Sequence, residues 1–527
     1  MGEENKSNSI LKKTVNIFDK KLDFFINNYL VSLIIIGVIG LSIRLFYFPF
    51  DVPLILDALN AYFFYATDIS ILGHLPTDFT IANNGWPVFL SFFFSIFRFD
   101  NAFDYMVLQR GITISLSILT IIPVYFLCMR FFDKPYALVG AAIFVLEPRI
   151  IQNSLLGLTE SLYILMISIT LCLFFSSNRK STYISFVIIA LASIVRSEGL
   201  FVFFPLLIIF FLRNRKERNV ILKTIFATGI FILVILPMAI FRIQVQGNDL
   251  MTSRIVSVTN EVLTSTHETG FNEHVILAIE NIVKLSGWSL IPIFIFFMPI
   301  GIFLILKNRN HQGIMLILVM IFMLLPIFYA FSIAQDTRYI YPLFPLFCVF
   351  SLFTIKKIIG KKETHNTFLI LIIVGMLFAS VSFLEIKKID YNGESELFQI
   401  SRVVVSNVEG VNQIPKIEKY ISAAEIANKW PIKSTPGNLR ETYEVKQFSL
   451  GDIKTLEEFI TKYKDQKLTH IAVDQYSQSI LSEVYNHEEK FPYLEKIYES
   501  KEHGLKYNLK LYKINYSNFT KYNLSTN

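Results

Sequence analysis

Leu30-Val31-Ser32-Leu33-Ile34-Ile35-Ile36-Gly37-Val38-Ile39-Gly40-Leu41-Ser42-Ile43-Arg44-Leu45-Phe46-Tyr47-Phe48 runs through Pro49 into Phe50-Asp51-Val52-Pro53-Leu54-Ile55-Leu56-Asp57. The first part has the length and apolarity of a bilayer-crossing helix. The second places two carboxylates six residues apart where the chain leaves the hydrocarbon. A charge held at mid-bilayer costs about 3 kcal/mol on insertion scales, so acidic residues beside a helix end among Phe and Leu invite a functional question. For Asp51 a loop that simply begins there is an equal reading. Asp57, followed by the aromatic run Tyr62-Phe63-Phe64-Tyr65, favours the functional one.

Composition fixes the class. With 53% apolar residues, 51 Phe and 17% charged residues, the chain is far from a soluble average, and its repeated long apolar runs define a polytopic membrane protein. The net charge of +7 is no nucleic-acid signal, because Lys and Arg cluster in short gaps between apolar runs. Cys128, Cys172 and Cys348 lie inside such runs and offer no disulfide framework. The first apolar run is too long for a cleaved signal core and reads as a retained helix.

Residues 1–28 are polar and basic, which predicts a cytoplasmic N-terminal segment. The run 30–48 spans, and 49–110 form a first outer loop. Within that loop the aromatic segment from Trp86 to Phe94 is too short to span; it lies at the interface or re-enters, with Asn83-Asn84-Gly85 as its lead-in turn. Further spans are expected at 111–131, 135–150, 155–176, 182–196, 199–212, 220–242, 289–307, 313–334, 339–355 and 367–385, about eleven helices in all. Alternation sends the basic gaps Arg130/Lys134, Arg179/Lys180, Arg213 to Arg218, Lys307/Arg309 and Lys356 to Lys362 to the N-terminal side.

The opposite side holds few and mixed charges: Asp51/Asp57, Glu147/Arg149, Glu160, Arg196/Glu198 and Asp336/Arg338. An outer arginine at a helix end runs against the positive-inside bias, so a carboxylate or a bound anion must retain it. Glu160 lies roughly 9 Å into its apolar run, a depth that needs a partner or a wet cavity. Residues 29–385 thus form the membrane domain. After 385 charge rises and strand patterns appear at Thr469 to Asp474 and Tyr507 to Ile514, with a helical pattern at Leu456 to Tyr463. Residues 386–527 read as a soluble α/β domain, placed outside by the odd helix count; Asn-x-Ser/Thr triplets at Asn515, Asn518 and Asn523 agree.

Four stretches carry a family resemblance. They are Asp57 with Tyr65-Ala66 and Asn84-Gly85-Trp86-Pro87; Pro148-Arg149 through Leu158-Thr159-Glu160; Ala192-Ser193-Ile194-Val195-Arg196-Ser197-Glu198-Gly199, similar to a Thr-Arg-Pro-Glu-Gly turn; and Asp336-Thr337-Arg338-Tyr339-Ile340-Tyr341-Pro342. Their order over about residues 30–360 resembles the GT-C superfamily of integral-membrane glycosyltransferases, with its protein O-mannosyltransferases and aminoarabinose transferases. Two features depart from the mannosyltransferase pattern: no acidic residue follows Asp57 directly, and no His-Pro-Pro stands at Gly85-Trp86-Pro87. Donor sugar and acceptor therefore stay open.

The resemblance implies transfer of a sugar from a polyprenyl (dolichyl) phosphate to an acceptor hydroxyl of a glycan, protein or lipid, on the outer face of a plasma membrane or, in a eukaryote, the endoplasmic reticulum. Such chemistry needs a carboxylate base and a cationic clamp for the leaving phosphate, a task for which the planar guanidinium fork suits. On this resemblance Asp57 is the general base, with Asp51 as second candidate or as an orienting carboxylate. The resemblance puts Arg338 and Arg196 on the phosphate, Glu160 on the sugar or on one of those arginines, and Tyr339 and Arg149 among the further substrate contacts. Structural alternatives stand beside each: Arg196 paired with Glu198 in a plain turn, Arg338 paired with Asp336 at a helix end, Glu160 paired with Arg149, and the first-loop Tyr and Trp as an interfacial aromatic belt.

No cofactor is required, but a divalent metal is an open alternative. His74, His267 and His274 with Asp51, Asp57 and Asp78 are its candidate ligands, without a ligand spacing that defines a site. In the loop 243–288, an amphipathic helix near 273–286 would cover the site or guide the lipid. The competing classes are a polytopic lipid or solute transporter or flippase, disfavoured by charges at one face rather than the midplane, and a membrane scaffold whose outer domain binds a partner.

Overall fold

The structure, a computed structural model, describes residues 28–54, 57–76, 84–97, 99, 102–247, 271–329, 336–360, 365–413 and 445–526. The chain divides into two compact units. One comprises Met1–Phe48, Phe79–Leu90 and Gln109–Lys388; the other comprises Pro49–Asp78, Ser91–Leu108 and Ile389–Asn527.

The first unit is helical. Every expected run has a helix, from Tyr29–Phe46 to His365–Ile386. By length and apolarity, six helical segments among the described residues can cross a membrane, or seven if Val275–Leu290 and Phe294–Lys307, bent by 116°, count as one span. This is fewer than the eleven apolar runs, because breaks fall inside them. Glu147-Pro148 separates Lys134–Leu146 from Pro148–Ser154, and Gly157, with φ +76°, precedes Glu160–Phe174. The expected span at 111 instead starts at Ala102. Gln109 and Arg110, which made the sequence look like a loop, are buried and donate to the carbonyls of Gly157 (2.7 Å) and Leu155 (3.0 Å).

The first helix shows how the unit is held. Tyr29–Phe46 turns Leu30, Ile34, Val38 and Leu45 outward and buries Ser32, Gly37, Gly40 and Arg44, the small-and-polar-inward pattern of helices that pack in lipid. Arg44 is fully buried. Its Nε donates to Ser154 Oγ (3.1 Å), Nη1 to the carbonyls of Gly40 (2.9 Å) and Val145 (3.1 Å), and Nη2 to Ser117 Oγ (3.0 Å), so one guanidinium ties together four helices. Elsewhere Phe294–Lys307 and Phe344–Ile359 approach so closely at Gly301 that a Cβ there would lie 1.9 Å from the Phe350 carbonyl oxygen. Gly301→Ala is therefore expected to force these helices apart and cost about 1–3 kcal/mol or more, read as a lower melting temperature of the purified chain in detergent.

In the second unit, the first-loop segments bury their rings. Phe63 and Tyr65 are fully buried, and Phe94 packs edge-on against Phe63 (5.7 Å) and Tyr105 (5.2 Å). In the first unit Trp86 is buried as well and stacks on Phe89. The expected aromatic belt is thus corrected for these residues, whose rings fill a core. Residues 410–514 form a five-stranded sheet of order β2-β1-β3-β5-β4, with β1 Gly410–Asn412, β2 Lys446–Phe448, β3 His470–Asp474, β4 Leu494–Glu499 and β5 Leu509–Ile514. β2, β1 and β3 run parallel; β5 is antiparallel to both β3 and β4. Alternation gives the sheet two apolar faces. Ile471, Val473, Tyr512 and Ile514 meet Phe459, Ile460 and Val484 on one face, while Ala472, Leu509 and Leu511 meet Ile400 and Val404 on the other.

His470 opens β3, buried beside Thr469 Oγ1 (2.7 Å) and opposite Lys513 in the ladder. Burial, aided by the Lys513 charge, lowers its imidazole to about 4. The unfolded chain takes up this proton near the ordinary value of about 6.5. Stability present above that pH is therefore lost progressively as pH falls towards 4. His470→Gln is expected to flatten this slope, measured on the full chain as hydrogen-exchange protection of the β3 amides between pH 7 and 5.

Candidate functional site

The best-defined polar cluster of the first unit sits where two helices meet. Arg179–Val195 ends at Arg196, which turns extended (φ −145°, ψ 127°). The chain then reverses through a tight turn closed by Gly199 N–H to the Arg196 carbonyl (3.0 Å) into Gly199–Asn214. The reversal needs glycine: a Cβ on Gly199 would lie 2.9 Å from the Ser193 backbone. Glu160 opens the partner helix Glu160–Phe174, where its charge complements the helix N-terminus.

Arg196 is buried and its fork is occupied. Nη1 donates to Glu160 Oε1 (2.5 Å) and Thr159 Oγ1 (3.3 Å), and Nη2 to Glu198 Oε1 (2.8 Å). The Tyr163 and Tyr339 ring centroids lie 5.9 and 5.4 Å from the guanidinium carbon, within cation–π reach. A small pocket opens beside it, lined by Tyr163, Arg196, Glu198, Tyr339 and Pro342 with an apolar wall that includes Ile327. Its free space is about 20 Å³, room for about one water molecule.

Arg338 stands one residue from Tyr339 in the short Thr337–Tyr339 turn. The carboxylate of Asp336 accepts from the Arg338 backbone N–H (3.0 Å) and lies 3.4 Å from its Nε. The expected helix-end pair is therefore present, and so is the Arg196–Glu198 pair. Glu160 does not pair with Arg149; its partner is Arg196, because both occupy the ends of one packed helix pair. Arg149 lies apart from that cluster, donating to the Ile291 carbonyl (3.3 Å) with its guanidinium 5.1 Å from the Phe383 ring.

Asp51 and Asp57 belong to the second unit, and both are exposed. Asp57 heads a π-helical turn, Ala58–Phe63, a rare geometry found often at functional sites. Among the described residues no group of three or more His, Cys, Asp and Glu is placed to hold a metal ion. His74 is exposed; Asp78 and His267 lie outside the described residues, as does the His274 side chain. The amphipathic helix is real and longer than expected, Phe271–Leu290, with Ile276, Ile279 and Val283 turned outward.

Asn84 and Gly85 read in the sequence as a lead-in turn, and their contacts with Arg242 and with the Arg196 turn were not read there. Gly85 packs directly on it, since a Cβ there would lie 2.8 Å from the Val195 backbone nitrogen. The preceding Asn84 accepts from buried Arg242 through its Oδ1. The signals were the small residue after Asn84 and an arginine at the end of an apolar run.

The profile of the dolichyl-phosphate-mannose-protein mannosyltransferase family matches residues 92–246. No curated protein matches the sequence. Among solved structures, the Archaeoglobus fulgidus oligosaccharyltransferase with zinc and sulfate is similar at TM-score 0.54 and 14% identity, over 84% of this chain and 68% of that one. The same organism's AglB oligosaccharyltransferase, in complex with an inhibitory peptide and a dolichol-phosphate, is similar at 0.52 and 14%, over 85% and 69%. ArnT from Cupriavidus metallidurans bound to undecaprenyl phosphate is similar at 0.52 and 10% identity, over 92% and 98%. The likeness is one of fold, and it agrees with the GT-C resemblance drawn from the sequence. The chain is an integral, multi-pass membrane protein of this fold.

Removing one partner from a buried pair leaves the other charge uncompensated, a loss of roughly 3–5 kcal/mol. Glu160→Ala is expected to destabilise the purified chain by about the lower figure, since Glu198 still holds Nη2, and Glu160→Gln by less; thermal unfolding in detergent measures both.

Proposed function

We propose that this protein is a glycosyltransferase that moves a sugar from a polyprenyl-phosphate donor to an acceptor hydroxyl at the outer face of its membrane. One observation carries the reading: the mannosyltransferase-like stretch 92–246 contains Glu160, Arg196 and Glu198, the residues of the ion-pair cluster. The fold likeness to proteins solved with dolichol-phosphate and undecaprenyl phosphate supports it.

In this reading a carboxylate takes the acceptor proton as oxygen attacks the anomeric carbon, and the bond from that carbon to the lipid phosphate breaks. Asp57 is the proposed base, with Asp51 the second candidate. Arg338 is the better phosphate partner: its side chain keeps 25% of its surface exposed against 8% for Arg196, whose fork already serves two carboxylates. The charge distribution assigns the N-terminus to the cytoplasm and residues 386–527 to the outside of a plasma membrane or, in a eukaryote, to the lumen of the endoplasmic reticulum. The acceptor is a glycan, a protein or a lipid.

The test is transfer by the purified chain from a panel of polyprenyl-phosphate sugars to a membrane-extract acceptor. Asp57→Asn is expected to lower turnover by about a hundredfold or more with donor binding retained, and Arg338→Ala to weaken donor binding by about tenfold to a hundredfold. Full activity in Asp57→Asn would remove it as the base. No transfer from any donor, with saturable lipid or solute movement in liposomes, would favour a transporter.

A further inference from the structure

Phe271–Leu290 has three sides rather than the two of an ordinary amphipathic helix. At about 100° per residue, Ala278, Leu285 and Ser289 share one narrow strip, and all three are buried. The helix packs against His311–Tyr329 and the Thr337–Tyr339 turn. About 100–160° further round lie Ile279, Val283 and Ile276, which keep 50–65% of their surface exposed. Next to them, a third strip carries Glu280, Glu273 and Lys284, all exposed. Leu277 and Trp288 lie between that strip and the buried one, also exposed.

No single solvent suits this pattern. Charges within hydrocarbon face the protein interior or a wet cavity, and a strip of three turned outward does neither. Water, in turn, leaves the isoleucines and the valine without apolar cover. A boundary between the two serves both strips at once.

Chain connectivity puts the helix at such a boundary. Residues 291–293 alone separate it from Phe294–Lys307, and three residues span about 11 Å at full stretch. That next helix turns Phe296, Ile300 and Phe303 outward, as a helix facing lipid does. The axes of Val275–Leu290 and Phe294–Lys307 are bent by 116°. With Phe294–Lys307 along the bilayer normal, Val275–Leu290 therefore lies closer to the bilayer plane than to that normal.

We infer that Phe271–Leu290 is a membrane-surface helix that docks on the phospholipid leaflet through Ile276, Ile279 and Val283, with Glu273, Glu280 and Lys284 in the headgroup water. It is not half of a broken span. The Thr337–Tyr339 turn, packed on this helix, is held by it at headgroup depth. The inference needs the chain to be a membrane protein and nothing of its reaction.

The experiment reads spin-label accessibility on the full chain in liposomes of phosphatidylcholine and phosphatidylglycerol. Cys172→Ala removes the one native cysteine that is not buried. Single labels then go on Ile276→Cys, Ile279→Cys, Glu280→Cys, Val283→Cys and Lys284→Cys, all exposed positions where folding tolerates the change. Power-saturation EPR compares collisions with oxygen, which concentrates in hydrocarbon, and with a water-soluble nickel chelate. Labels at 276, 279 and 283 are expected to favour oxygen several-fold, and labels at 280 and 284 to favour nickel. The two accessibilities thus oscillate out of phase with the helical period. Adding Val283→Asp to the chain labelled at 276 is expected to raise nickel collisions there, because the apolar strip is what seats the helix. High nickel access at all five positions would mean a helix in water, and low nickel access at all five a helix sunk in the bilayer. Shielding of 276, 279 and 283 from both reagents would mean a protein partner or a second copy on that strip. Each of these three results overturns the inference, as does an unchanged label at 276 in the Val283→Asp chain.

Discussion

A guanidinium buried in a membrane protein has to bring its own acceptors, because neither lipid nor water will supply them. This constraint recurs through the first unit. Arg44 meets it with two serine hydroxyls and two backbone carbonyls, and Arg110 takes the Leu155 carbonyl at the end of a helix break. Arg242 takes the Asn84 amide oxygen. The acceptors of Arg196 include two ionisable carboxylates. Arg44 uses neutral acceptors and holds the fold; Arg196 concentrates charge at the edge of a pocket.

That difference shapes the function. An arginine at an outer helix end suggests a phosphate clamp when it is considered alone. With Glu160, Glu198, Tyr163 and Tyr339 around it, the same arginine serves as a brace for carboxylates. Gly85 and Gly199 let backbone close in on the turn from two sides, so the carboxylates are presented from a packed support rather than a loose loop. Preorganisation of this sort is what a selective site needs, because little motion remains to be frozen when a ligand arrives.

Much of this was legible in the sequence. Each long apolar run held a helix, and strand and helix patterns in the tail fell within two residues of β3, β5 and Leu456–Tyr463. Glu160, Arg196 and Tyr339 were singled out as oddities of charge or motif, and the structure brings them together. Which carboxylate would hold which arginine was not legible. Glu160 is nearer in sequence to Arg149, and only the packing of Glu160–Phe174 against Arg179–Val195 selects Arg196. Arg44 and Gln109 were opaque for a related reason: a polar residue in or beside an apolar run looks like a boundary until its distant acceptor is known. The aromatic segment at Trp86 misled because burial and interfacial anchoring demand the same side chains.

Some of the first unit's helices are short. Lys134–Leu146, Glu160–Phe174 and Gly199–Asn214 hold 13, 15 and 16 residues, or about 20–24 Å at 1.5 Å per residue against about 30 Å of hydrocarbon. Glu160 and Gly199 both open such helices. A bilayer accommodates a spanning helix shorter than its hydrocarbon by thinning around it. A lipid-anchored ligand reaches a thinned leaflet sideways, through its own solvent, without crossing the headgroup layer. The concentration that governs such an encounter is counted per lipid and not per litre.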